Sequence, residues 1–257
     1  MPLKDVCTTI HKGDVIAVIG ASGCGKSTLL NLIAGLDTPT KGKILLNENT
    51  ITGPGADRVV MFQEAALYPW LNVIQNVMFG LAAAGYKKAD QKKIAEKYLK
   101  MVHLWDYRNY PIHQISGGMK QRTALARSLA LDSKVLLMDE PFSALDKQTI
   151  NLLRAELVQI WKETGKTILY ITHSVEEAVY FADRVIVMYA GQIVETADVY
   201  SLFHTPAHPY TKALMGAVPS IYDSSDRQLA SIRGTVPENY TELSGCRFAD
   251  RCDHACE

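Results

Sequence analysis

Gly20 to Thr28 read G-A-S-G-C-G-K-S-T, directly after the apolar run V-I-A-V-I at Val15 to Ile19. The nonapeptide fits the pattern G-x-x-x-x-G-K-[ST]. Gly20, Ala21, Ser22, Gly23, Cys24 and Gly25 form a loop whose glycines let the backbone bend and turn several N–H groups toward one anion. Lys26 adds a compact positive charge for the outer phosphates of a nucleotide. Ser27 offers a hydroxyl to Mg²⁺, and Thr28 ends the nucleotide-binding stretch. Such a loop must leave a buried strand and open a helix. The apolar run supplies the strand, and S-T-L-L-N-L-I-A-G-L at Ser27 to Leu36 reads as the helix, closed by Gly35. The positive end of that helix would face the phosphates.

Downstream, Lys43–Asn47 and Arg58–Phe62 read as strands, with a Gly/Pro-rich loop between them. Upstream, Val6–Ile10 reads as an edge strand. Past Gln63 the pattern turns helical: an aromatic turn at Tyr68, Pro69 and Trp70, then helices over 73–84 and 88–102. Lys87, Lys88, Lys92 and Lys93 read as the solvated face of the second. Ser116-Gly117-Gly118 precedes a helical stretch from Met119 to Leu131, with Ser116 where a cap belongs. Val135–Met138 is a short buried strand delivering Asp139 and Glu140, stopped by Pro141. A helix over 147–162, a strand over 166–172 ending at His173, a helix over 175–182 and a strand over 184–189 come next. Buried strands alternating with helices predict an α/β fold with a mainly parallel sheet. From Tyr200 the chain changes again, with a short helix over 211–218 and a polar, cysteine-bearing end.

Composition narrows the function. The 257 residues carry 27 Lys+Arg and 27 Asp+Glu, a formal net charge of zero, so a nucleic-acid partner is not expected. No apolar run approaches the roughly 20 residues needed to cross a bilayer. The first residues lack a signal-peptide core, so the expected location is cytoplasmic, with any membrane role exercised by docking onto other subunits. Of five cysteines, Cys246, Cys252 and Cys256 crowd the C-terminus, where a metal or cluster site is weighed against free thiols. Cys24 reads as a small filler inside the loop.

The remaining polar residues fall where nucleotide chemistry needs them. Asp139 ends an apolar strand, as a carboxylate that orients Mg²⁺ through water would. Glu140, beside it, can accept the proton of the water attacking the γ-phosphate. Gln63 and His173 end strands of their own, and all project from the sheet edge where ligands bind in open α/β folds.

Taken in order, G-A-S-G-C-G-K-S-T, Gln63 in F-Q-E, I-S-G-G-M-K-Q-R at Ile115 to Arg122, V-L-L-M-D-E-P at Val135 to Pro141, S-A-L-D at Ser143 to Asp146 and T-H-S at Thr172 to Ser174 resemble the nucleotide-binding subunit of ATP-binding cassette (ABC) transporters. The resemblance implies a P-loop ATPase core at 1–65 and 131–200, a helical subdomain inserted at 66–130, and an extension at 201–257. It implies ATP and Mg²⁺ as ligands. Glu140, His173 and Lys26 would be catalytic, and Ser27, Gln63 and Asp139 would serve the metal. Ser116, Gly117, Gly118, Met119 and Asp146 would complete the ATP site of a second ATP-binding subunit. The same likeness implies two integral membrane permease subunits, a solute-binding protein outside the cell, and a peripheral place on the cytoplasmic face of the membrane. A soluble cassette ATPase that moves no cargo is the alternative.

Two further likenesses point to import. V-V-M-F-Q-E-A-A-L-Y-P-W-L-N-V at Val59 to Val73 is similar to nitrate, sulfonate and taurine importers. H-P-Y-T-K-A-L at His208 to Leu214 and G-C-R-F-A-D-R-C at Gly245 to Cys252 are similar to oligopeptide and dipeptide importers, whose fuller cysteine motif implies an iron–sulfur cluster. There are departures. Ile115 and Met119 stand where the family has Leu and Gln. The family's adenine-stacking aromatic would fall before Met1, so either the start is truncated or adenine relies on other contacts, apolar ones from Val6 or Ile10 among them.

Overall fold

The computed structural model describes residues 3–217, 232, 234–235 and 245–255. In chain order the elements are β1 (Val15–Gly20), α1 (Lys26–Ala34), β2 (Leu45–Leu46), β3 (Asn49–Thr50), β4 (Arg58–Met61), α2 (Val73–Ala83), α3 (Lys88–Met101), α4 (Gly117–Ala130), β5 (Val135–Asp139), α5 (Lys147–Thr164), β6 (Thr167–Ile171), α6 (Val175–Phe181), β7 (Arg184–Tyr189), β8 (Gln192–Asp198), α7 (Val199–His204) and α8 (Pro209–Gly216). Short 3₁₀ turns lie at Trp105–Tyr107, Ile112–Gln114 and Ala249–Arg251. The chain divides into two compact units, Met1–Leu29 with Ile171–Glu257, and Leu30–Tyr170.

In the first unit β1 is buried at all six positions, as a strand covered on both faces must be. It pairs in parallel with β7, Ile19 opposite Val187 and Gly20 opposite Met188. β7 turns back into antiparallel β8 through Ala190 and Gly191, at φ 45° and 80°. Two consecutive left-handed residues match the twist of a two-residue hairpin. α6 packs on β1. Val6–Ile10, expected as a strand, forms none. This stretch of the N-terminus is tied instead by isolated bonds: ahead of the segment Lys4 N–H donates to Gly191 O at 3.0 Å, and within it Thr9 O accepts from Arg184 at 3.2 Å.

In the second unit β4 and β5 pair in parallel, Met61 opposite Met138. The strand expected over 43–47 shrinks to a two-residue arm of the β2–β3 hairpin, with Asn47 and Glu48 both left-handed at its turn. α2, α3 and α4 pack on one another. Leu81, Leu99 and Leu125 are among their buried side chains, while the Lys87–Lys93 face is exposed. α5 ends at Gly165, left-handed at φ 56°, whose N–H closes on Trp161 O. β6 crosses the boundary between the units. Thr167 N–H donates to Lys134 O at 3.0 Å in the second, and Thr172 N–H to Val18 O at 3.2 Å in the first. No helix among the described residues is long and apolar enough to cross a membrane.

Candidate nucleotide-binding site

The phosphate loop belongs to the first unit. β1 ends at Gly20, φ 149°, where an added Cβ would stand 2.1 Å from Met188 O, so no other residue fits that turn. Gly25 is left-handed too, and a Cβ there would press on Leu3 at 2.6 Å. Between them Lys26 folds inward. Its ammonium donates to Gly20 O and Ala21 O, both at 2.9 Å, and lies 3.9 Å from Cys24 Sγ. The Lys26 side chain thus ties the first carbonyls of the loop to the first residue of α1. Ser27 is exposed at the helix start.

Cys24 is fully buried, which supports its reading as filler. Burial pushes its thiol above the usual range, against the opposing pull of Lys26. A maleimide should therefore label the exposed Cys7 and Cys246 of the native chain and reach Cys24 only in denaturant. Peptide mass spectrometry checks this, and native labelling of Cys24 at the rate of Cys7 would contradict it.

His173 is exposed, two residues past β6, in a turn fixed from both sides. Ser174 N–H donates to Thr172 Oγ1 at 3.0 Å, and the Thr172 hydroxyl donates to Glu177. Ser174 in turn caps α6 by accepting from Glu177 N–H at 3.2 Å.

The second unit holds the carboxylates. Asp139 is the last residue of β5 and is half-buried. Glu140 comes next at φ 49°, a left-handed conformation that a non-glycine residue adopts at a cost. Its backbone carbonyl is held by three donors: Ser143 Oγ at 3.0 Å, Ser143 N–H at 3.2 Å and Gln121 Nε2 at 3.5 Å. Its carboxylate accepts from Gln63 Nε2 at 2.9 Å. Two residues 77 apart in sequence, each just beyond one of two paired strands, therefore meet. The loop after Gln63 is pinned from α4, where Arg127 donates to Ala66 O at 2.9 Å and Ala65 O at 3.1 Å.

Ser116 is the cap of α4, its hydroxyl accepting from Met119 N–H at 3.2 Å. Ser116 and Gly117 are exposed, and a Cβ on Gly117 would meet nothing within 4 Å, so this helix start is open. On Gly118 a Cβ would come within 3.2 Å of Ala144 O. Asp146 caps α5 through Thr149 N–H at 2.8 Å and Thr149 Oγ1 at 2.7 Å, bonds that hold its carboxyl below the usual range.

The fold thus joins Gln63 to Glu140, and Lys26 to the backbone of its own loop. Lys26 and His173 lie in one unit; Gln63, Ser116, Asp139, Glu140 and Asp146 lie in the other. Sequence reading missed Gln121 and Arg127, which look like ordinary helix residues. It also missed Tyr210, whose hydroxyl oxygen accepts from Ala21 N–H at 3.0 Å. Its signal lay in H-P-Y, where a capping residue and a first-turn proline set the start of a helix.

Of the C-terminal cysteines, Cys246 and Cys252 are free thiols and Cys256 lies outside the described residues. No group of three or more His, Cys, Asp or Glu among the described residues stands ready for a metal.

Comparison with known proteins adds five findings. A family model described as ABC transporter matches residues 3–143, and one described as oligopeptide/dipeptide transporter, C-terminal region, matches 194–257. An uncharacterized ABC transporter ATP-binding protein of Methanocaldococcus jannaschii is 49% identical over 77% of this chain and 74% of its own. The taurine import ATP-binding protein of Roseobacter denitrificans is 48% identical over 72% of this chain and 69% of its own. A solved dimeric ATP-binding cassette in a post-hydrolysis state, bound to ADP and Pi, is similar at TM-score 0.70 and 31% identity, over 77% of this chain and 90% of that one.

Proposed function

The chain belongs to the ABC transporter family, and from that premise we propose that it is the ATP-binding and ATP-hydrolysing subunit of an importer. The observation that carries the reading is the Gln63–Glu140 pair, a carboxylate at the end of one strand held by an amide beyond its neighbour. A phosphate loop alone binds nucleotide. A held carboxylate next to Asp139 adds the means to activate water.

In this mechanism Lys26 exchanges its loop carbonyls for the outer phosphates of ATP, and the loop N–H groups hold the chain of phosphates. Ser27, Gln63 and Asp139 fit Mg²⁺, being a hydroxyl, an amide oxygen and a carboxylate, the hard donors that ion prefers. Bound there, Mg²⁺ would neutralise charge between the β- and γ-phosphates. Glu140 accepts a proton from the water that attacks phosphorus, and the bond to the ADP oxygen breaks. His173 donates to the γ-phosphate as charge shifts.

The open N-terminus of α4 supports a shared site. Ser116, Gly117 and Gly118 offer N–H groups and a hydroxyl to an anion, and in the proposed dimer that anion is the γ-phosphate on another copy's loop. Asp146 lies at the same interface. Helices α2–α4 form the helical subdomain, and residues 201–257 the extension.

Two permease subunits and an outer solute-binding protein complete the importer, the names of the taurine relatives supporting import. An aromatic patch supports the docking, on the cytoplasmic side of the membrane. Trp70 is 75% exposed and Phe79 44% exposed, and Tyr68 packs between them at 5.5 and 4.2 Å. The test has two arms. The full chain should release phosphate from ATP, and it should co-purify with integral membrane proteins encoded beside it. Phosphate release without membrane partners would remove import and leave the ATPase.

A further inference from the structure

The C-terminal extension reaches the phosphate loop by two routes, both inside the first unit. The first runs through Tyr210. His208 caps α8 by accepting from Tyr210 N–H at 3.1 Å, and Pro209 stands at the first helical position. The turn before the helix is fixed by Glu195, whose carboxylate accepts from Ala207 N–H at 2.8 Å and His208 N–H at 2.9 Å. The Tyr210 ring is therefore aimed inward. It is 1% exposed and packs against Tyr189 at 4.7 Å and Phe248 at 5.5 Å. Its hydroxyl ends on Ala21, the residue directly after β1.

The second route runs through the β7–β8 turn. Arg247 donates to Ala190 O, and Gly191 N–H donates to Cys24 O at 2.9 Å. Arg251 holds Tyr189 Oη at 3.1 Å, which keeps the aromatic cluster against the same turn. The loop is thus touched at both its second and fifth residues by groups that the extension holds in place.

The Ala21 bond has a specific consequence. Ala21 is the residue whose carbonyl, with that of Gly20, receives Lys26. Its own N–H is half-buried and Tyr210 is its partner, and a donor shielded from water that loses its acceptor costs free energy. If it turned to find another, the peptide planes bonded to Lys26 would turn with it. Burial also pushes the Tyr210 phenol up to about 12, so the hydroxyl stays neutral throughout the physiological range.

We propose that Tyr210 is a positioning residue of the phosphate loop: its hydroxyl fixes Ala21 and so the loop shape that accepts nucleotide, and the Arg247–Arg251 segment fixes Tyr210. The inference rests on reading the chain as an ATP-binding cassette. It assigns the extension a role in ATP affinity distinct from any cluster chemistry.

The test is calorimetric titration of the full chain with ATP, for the wild type and Tyr210→Phe. Phe keeps the ring and its packing and removes only the oxygen. Losing a bond of this kind should shift the loop population by about 5- to 30-fold and weaken ATP binding by the same factor. In steady-state assays the loss should fall on KM, with kcat held within about twofold. In an Ala21→Pro background, which has no N–H to hold, Tyr210→Phe should weaken binding no further. Unchanged ATP affinity in Tyr210→Phe, or an equal loss in the Ala21→Pro background, overturns the proposal. Phosphate release by the wild type is read separately and bears on the ATPase assignment alone.

Discussion

Replacing Glu140 with Gln is expected to cut phosphate release from ATP by ~10²–10⁴-fold, the usual loss when a positioned general base is removed. Gln has nearly the shape of Glu, so the left-handed backbone at φ 49° and the three donors on its carbonyl remain. What changes is the side chain facing Gln63. A carboxylate accepting from Gln63 becomes an amide, which still bonds but takes no proton from water. ATP binding should persist, because the phosphate loop is untouched. Steady-state phosphate release and ATP titration on the same preparation separate the two effects. Turnover near the wild-type rate would remove Glu140 from the role of base.

Lys26→Ala should do comparable damage by another route. Removing one preorganised donor to transition-state charge costs on the order of 10²–10³ in kcat. Lys26 is also only 6% exposed, and its ammonium bonds two carbonyls of the loop itself. Alanine removes the one charge that would leave those carbonyls to meet the outer phosphates, so ATP affinity should fall along with turnover. That combination distinguishes Lys26 from Glu140, whose loss spares binding. Lys26→Arg should not rescue, because a planar fork cannot replace a point charge in a space shaped for an ammonium. Titration and phosphate release on the three chains check the pattern; an alanine variant that binds ATP normally would contradict it.

How far such residues could be read in advance depended on how local their geometry is. Lys26 was legible because G-x-x-x-x-G-K-[ST] spells out its own fold: each glycine sits where the backbone turns left-handed or a Cβ would collide, as at Gly20 and Gly25. The caps at Ser116 and Asp146 were legible for the same reason, each closing on an N–H three residues on. β1, β5 and β7 stood out as unbroken apolar runs. β8 did not, because Q-I-V-E-T-A-D is half-buried almost throughout and neither alternates nor runs apolar. Val6–Ile10 has the composition of a strand but no ladder to join, and composition cannot report a missing partner. The long-range pairs were beyond sequence reading altogether. Gln63 with Glu140, Arg127 with the Gln63 loop, and Tyr210 with Ala21 are set by packing across 61 to 189 positions.

The central claim is that each ATP is held by parts of two copies, the phosphate loop of one and the Ser116 helix start of the other. It is tested most directly by the mass of the Glu140→Gln chain in solution, measured by light scattering with ATP and Mg²⁺. The account predicts twice the 28.4 kDa of one chain with nucleotide, and one chain's mass once Ser116→Arg is added to block the helix start. A single-chain mass at saturating ATP, or a dimer that survives Ser116→Arg unchanged, would contradict it.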